Sequence, residues 1–138
     1  MKRANERWCV LAWMTLVALA AAGCGARVPP ERLLANLQQA MQGDVSDAEA
    51  SAAHSRTVEA ALDENVLNGL RRDEVEERIG RGAPCSRHPR CAEHDFADND
   101  WFYEVGRPAA GYGRALPLLI LGFDRTGRVV RSWNLRTH

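Results

Sequence analysis

Beyond Lys2 the sequence contains no lysine; the other 17 of its 18 basic residues are arginine. A lysine nucleophile or Schiff base in the body of the protein is thereby excluded. An excess of either charge is also missing, since 18 acidic residues balance the 18 basic ones. Residues 1–23 hold three of the basic and one of the acidic residues, so 15 and 17 remain after them. Without a basic stripe there is no electrostatic footprint for nucleic acid, and none is expected as a partner. Nucleophile-elbow, phosphate-loop and zinc-protease motifs are absent from the sequence, and the chain reads as a non-enzyme with no cofactor. A membrane-spanning run is lacking as well. The N-terminal apolar stretch, Trp8–Ala22, is shorter than the roughly 20 residues that a span requires.

That stretch nevertheless has an order of its own. Lys2, Arg3 and Arg7 precede it and small residues end it, the three parts of an export signal. The small residues run directly into a cysteine, Ala21-Ala22-Gly23-Cys24, which resembles the lipobox of bacterial lipoproteins. The resemblance implies that Cys24 is lipidated, palmitate being the label that would report it, and becomes the new N-terminus. The family prefers Leu where Ala21 stands. Gly25 follows the cysteine, with no Asp to retain the protein at the inner membrane. The expected location is the outer membrane, with the domain facing the periplasm and the lipid as its membrane contact. Two or more acyl chains hold a protein at a membrane where one does so only marginally. The domain division that follows is a signal peptide at 1–23, a tether and short amphipathic helix at 24–45, and a folded domain at 46–138.

Pro29 and Pro30 keep the tether out of regular structure. Leu33, Leu34, Leu37 and Met41 then recur on one helical face. Ser46-Asp47-Ala48-Glu49 has the form of a capping box. It opens a second helix carrying Val58, Leu62 and Val66, which Asn68-Gly69 closes. A short third helix lies within Leu70–Gly80, with Gly80 at its C′ position. Residues 81–100 lose all periodicity and read as one long loop. Strands follow at Trp101–Val105, Leu116–Phe123 and Val129–Leu135, the last two joined by the turn Asp124-Arg125-Thr126-Gly127. The expected fold class is α+β, with N-terminal helices packed on one face of a three-stranded antiparallel β-meander.

Three groups of residues in this order, Gly69-Leu70 through Val75 to Ile79-Gly80, then Trp101-Phe102-Tyr103, then Phe123-Asp124-x-x-Gly127-x-Val129, resemble the SmpA/OmlA (BamE-like) family of outer-membrane lipoproteins. The resemblance covers about residues 58–136 and implies two helices on a three-stranded sheet. It also implies an accessory role in β-barrel protein assembly, with the assembly complex as the envelope partner. Two positions depart from the family: Arg71 stands where it usually has Thr or Ser, and Gly82 where it usually has Pro.

One loop has the residue types for chemistry. Cys85, His88, Cys91 and His94 follow at equal three-residue steps, which as letters is a zinc set. An exported domain meets oxidising conditions, Pro89 sits between the ligands, and a small domain gains from a bridge, so a Cys85–Cys91 disulfide is the favoured reading. Function is therefore expected on surfaces. Alternation along the strand puts Phe102 opposite Trp101 and Tyr103, and whichever side faces outward joins Arg71 and Arg72 as the candidate partner surface. The leading expectation is an envelope scaffold acting through protein contacts. The alternatives are a periplasmic inhibitor or ligand-binding module on the same fold, or a metal-handling lipoprotein.

Overall fold

The computed structural model describes residues 25 and 27–136; the signal segment 1–23 and the lipidation candidate Cys24 lie outside them. Helix α1, Pro30–Gln42, starts on a proline, whose missing N–H costs nothing in a first turn. It buries Leu33, Leu34, Leu37 and Ala40, while Met41 is half-buried beside them. Strand β1 is Asp44–Val45, and helix α2 is Ala48–Asp63. The α2 cap lies one residue later than the sequence pattern indicates. Asp47 Oδ1 accepts from Ala50 N at 2.8 Å, while the Ser46 hydroxyl donates to the Asp47 carboxylate. The Ala50 hydrogen bond and the Ser46 hydroxyl hold the Asp47 carboxyl below the usual carboxylate range.

Helix α3, Arg72–Ile79, begins at Arg71, whose side chain has no acceptor to offer an amide. The reciprocal half of a capping box serves instead: Glu74 Oε2 accepts from Arg71 N at 2.7 Å. Arg71 can hold the N-cap position because the carboxylate three residues on satisfies its amide. Strand β2, Ala83–Pro84, follows, then a 3₁₀ turn at Cys85–Arg87 and a single helical turn α4 at Pro89–Ala92. The remaining elements are β3 Trp101–Glu104, β4 Arg107–Pro108, β5 Leu118–Phe123 and β6 Val129–Leu135.

Over the described residues the fold is α+β, with four α-helices and a four-stranded antiparallel sheet in the order β2-β3-β5-β6. Its fourth strand is a correction to the three strands read from the sequence. Ala83 and Pro84 pair with Phe102 and Trp101 and form a short edge, a place where proline's missing donor is tolerated. Gly82 makes this possible: a Cβ there would lie 2.7 Å from Trp101 Cβ. A second, two-residue parallel ladder joins Asp44–Val45 to Arg107–Pro108, with an Arg107–Asp44 ion pair at 3.1 Å beside it. Asp124 Oδ1 closes the β5–β6 turn, accepting from Thr126 N, Thr126 Oγ1 and Arg128 N, and Gly127 takes φ 78°. Those bonds, the Arg128 amide foremost, lower the Asp124 pKa.

Strand β5 is the centre of the molecule. Leu118, Leu119, Ile120 and Leu121 are all buried, so neither face of this strand meets water. Register alternates the two faces. Leu119, Leu121, Trp101 and Tyr103 face Leu34 and Leu37 of α1, Val58 and Ala61 of α2, and Val75 and Ile79 of α3 in the main core. Helix α1, assigned with the tether from the sequence, is therefore built into the same core as α2 and α3. Leu118, Ile120 and Leu135 face the other way, into a second core with Cys85, Cys91 and Phe96. The segment read as a structureless loop is thus a third layer. Among the described residues no helix is long and apolar enough to cross a membrane.

Candidate functional site

Cys85 and Cys91 form a disulfide, with their Cα atoms 5.5 Å apart, and both are buried in the second core. The histidines of the same loop turn elsewhere. His88 accepts from Arg90 N through Nδ1 at 3.3 Å, and its ring meets the edge of Phe102 with centroids 5.0 Å apart. His94 stacks on Trp133 at 5.7 Å. Among the described residues no group of three or more His, Cys, Asp or Glu converges as a metal site would require. The four loop residues therefore do not assemble into the tetrahedral set that their spacing spells.

The aromatic triplet is divided as strand alternation demands, but neither side is free. Trp101 and Tyr103 are buried against the helices, which removes them from the surface. Burial holds the Tyr103 hydroxyl well above its ordinary pKa, and it donates to Gly80 O at 2.9 Å. Phe102 is half-buried beneath His88. Arg72 lies over Phe123 at 3.8 Å and Trp101 at 5.0 Å, and it donates to Asn99 O at 3.0 Å. Arg71 alone of the candidate surface is exposed, paired with Asp73 at 2.8 Å. Two further polar residues are structural. Asp100 is a buried acceptor for backbone amides. His54 is half-buried, and its Nδ1 is enclosed without a partner. Its ring occupies the gap between Gly43 and Gly106, where a Cβ on Gly106 would come within 2.9 Å of Nδ1.

Two surfaces that sequence reasoning missed are better formed. The first lies on β6. Trp133 is 48% exposed and Val130 61%, two of the three large apolar residues exposed among those described. His94 supports one face of the indole. Arg131 lies over Phe96 at 3.8 Å, tied to Asp95 O at 2.7 Å. The partial signal in the sequence was the odd position of Trp133, which points to the same side as Ile120 yet lies on an edge strand.

The second is a cleft of about 460 Å³ between α2, the connection before β5 and the end of β6. Ala48, Ser51, Ala52 and Ser55 recur on one face of α2, and their small side chains leave the space. Tyr112, Arg114, Ala115 and Pro117 form the opposite wall, and Arg56, Glu59 and Arg136 complete it. Its polar floor is ordered by hydrogen bonds, although Asn134 Oδ1 is enclosed without a partner. Asn134 Nδ2 donates to Ser55 Oγ at 2.9 Å and to Glu59 Oε1 at 3.2 Å, and Glu59 also pairs with Arg136. No family model matches the chain, and neither a curated protein nor a solved structure matches it.

Proposed function

We propose that this is a non-enzymatic, lipid-anchored protein of the outer membrane that acts through protein contacts made by its periplasmic α+β domain. The exposed Trp133 on β6 carries this reading. A solvent-facing indole braced by a stacked histidine is a rigid apolar anchor, and tryptophan and arginine dominate the energetics of protein interfaces. Immobilising it in a complex costs little entropy, because the fold has already fixed its surroundings. The lipobox-like Ala21–Cys24 supports the anchor. The SmpA/OmlA-like order of residues, with three of its segments falling in α3, β3 and the β5–β6 turn, supports a meander-and-helix fold of that kind and an envelope-assembly partner.

Two measurements test this reading. Capture from detergent-solubilised membranes is expected to recover components of the β-barrel assembly machinery with the wild-type protein. Trp133→Ser should lower that recovery about tenfold or more, since truncating an interface hot spot costs on the order of 2 kcal/mol. The side chain is exposed, so the thermal midpoint of the variant should stay within about 2 °C of wild type. Recovery of no assembly component with wild type would sink the partner assignment. For the anchor, labelled palmitate should enter the wild-type protein and not Cys24→Ala; unchanged membrane attachment in the variant would remove the lipid from the account.

A further inference from the structure

The arginine-walled cleft has no part in contacts made through Trp133, and its chemistry asks for a ligand of its own. Its volume, about 460 Å³, falls within the roughly 300–1,000 Å³ usual for small-molecule sites. Charge in the cleft is unevenly satisfied. Arg136 is neutralised by Glu59, and Arg56 reaches Glu49 at 3.0 Å. Arg114 stands on the opposite wall, and among the described residues no carboxylate pairs with it. An independent feature of the floor points the same way. Ser51 lines the cleft, and its hydroxyl, bonded to no described residue and not among the enclosed groups left without a partner, opens to the cleft. The neighbouring Ser55 hydroxyl has a partner, Asn134.

We infer that this cleft binds a small organic oxyanion, its charged head between Arg114 and the Ser51 hydroxyl. A guanidinium presents paired donors to the two oxygens of a carboxylate or phosphate. A serine hydroxyl adds one more donor. The ligand body would lie against Ala52, Ala115 and the Tyr112 ring, which offer apolar contact and no further charge. Arg114 is exposed and water solvates its charge, so the preference for an anion comes from the charge-assisted bonds that a neutral ligand does not make, while a cation would be repelled. Glu59 does not alter this balance, since Asn134 and Arg136 already occupy Oε1.

The test is an NMR titration of the amide signals of the full-length protein in detergent, with three probes: N-acetyl-alanyl-alanine, its C-terminal amide, and inorganic phosphate. Saturable shifts of the Ser51, Ser55 and Ala115 amides are expected with the free acid or with phosphate. The first result places a carboxylate ligand in the cleft and the second a phosphoryl one. Affinity should fall at least fivefold in Arg114→Gln, and also in Ser51→Ala, which removes the hydroxyl with little change of volume. Both variants should keep the wild-type thermal midpoint. The inference is overturned if neither anion saturates those amides, or if the amide probe binds as well as the acid. Undiminished binding by Arg114→Gln would overturn it too. Trp133→Ser should leave the titration unchanged, so failure here and failure of the contact surface are separate results.

Discussion

Replacing Cys85 and Cys91 together by alanine should destabilise the protein by about 2–4 kcal/mol, a fall of roughly 10 °C or more in thermal midpoint. The bridge closes a loop with a sequence separation of 6, which in the chain-entropy account contributes about 2 kcal/mol by restricting the unfolded chain. The rest comes from packing. Both sulfurs are buried against Leu118, Ile120, Leu135 and Phe96, and trimming them leaves space in a small cluster. The segment they hold also covers the face of the sheet that the helices do not reach. Reductant added to the wild-type protein should therefore reproduce most of the effect and raise the binding of an apolar dye, as the Leu118–Ile120 side opens to water. A shift below about 0.5 kcal/mol under full reduction would mean that α4 and Phe96 hold this layer without the bridge.

That layer also marks the limit of what the sequence made legible. Helix periodicities, the glycines behind α3 and in the β5–β6 turn, and the β-forming triplet at Trp101 are local signals, and each element they announce is present. Leu118–Leu121 is a different case. An unbroken apolar run bounded by turns belongs to a strand buried on both sides. Two covers are therefore required, and the helices supply one. The second comes from residues 85–96, whose covering power resides in a few side chains, Cys85, Cys91 and Phe96, with no period to disclose them. Other misses have the same origin. The Asp44–Arg107 ladder joins pairs of residues far apart in the chain. The cleft draws on three separate segments, and only the small residues of α2 have a spacing of their own. The cap of α2 shows a finer limit, because Ser46 and Asp47 are both competent acceptors and only backbone geometry selects between them.

Asp100→Ala is expected to be the most damaging single substitution of a polar residue, at about 3–5 kcal/mol. Asp100 is 5% exposed, and each of its oxygens serves a different segment. Oδ2 accepts from Ala97 N at 2.9 Å and closes the turn that brings the chain out of the disulfide segment. Oδ1 accepts from Phe123 N at 3.0 Å. The second bond matters more, because the β3–β5 ladder ends at the Trp101–Leu121 pair. Asp124 N turns to Arg128 O on the β6 side, so the Phe123 amide faces the β3 side beyond that end, and Asp100 supplies the acceptor there. Phe123 in turn holds the Arg72 guanidinium at 3.8 Å, so the effect passes from the sheet edge to the start of α3. Alanine leaves both amides unpaired, whereas Asp100→Asn keeps one acceptor oxygen and should cost about half as much. Chemical denaturation of the three proteins checks the order, with wild type most stable, Asn intermediate and Ala least. Equal losses for Asn and Ala would show that the charge alone matters, and a loss below about 1 kcal/mol for Ala would show that water replaces the carboxylate. For a domain whose whole stability is of order 5–15 kcal/mol, the expected loss brings the alanine variant close to unfolding.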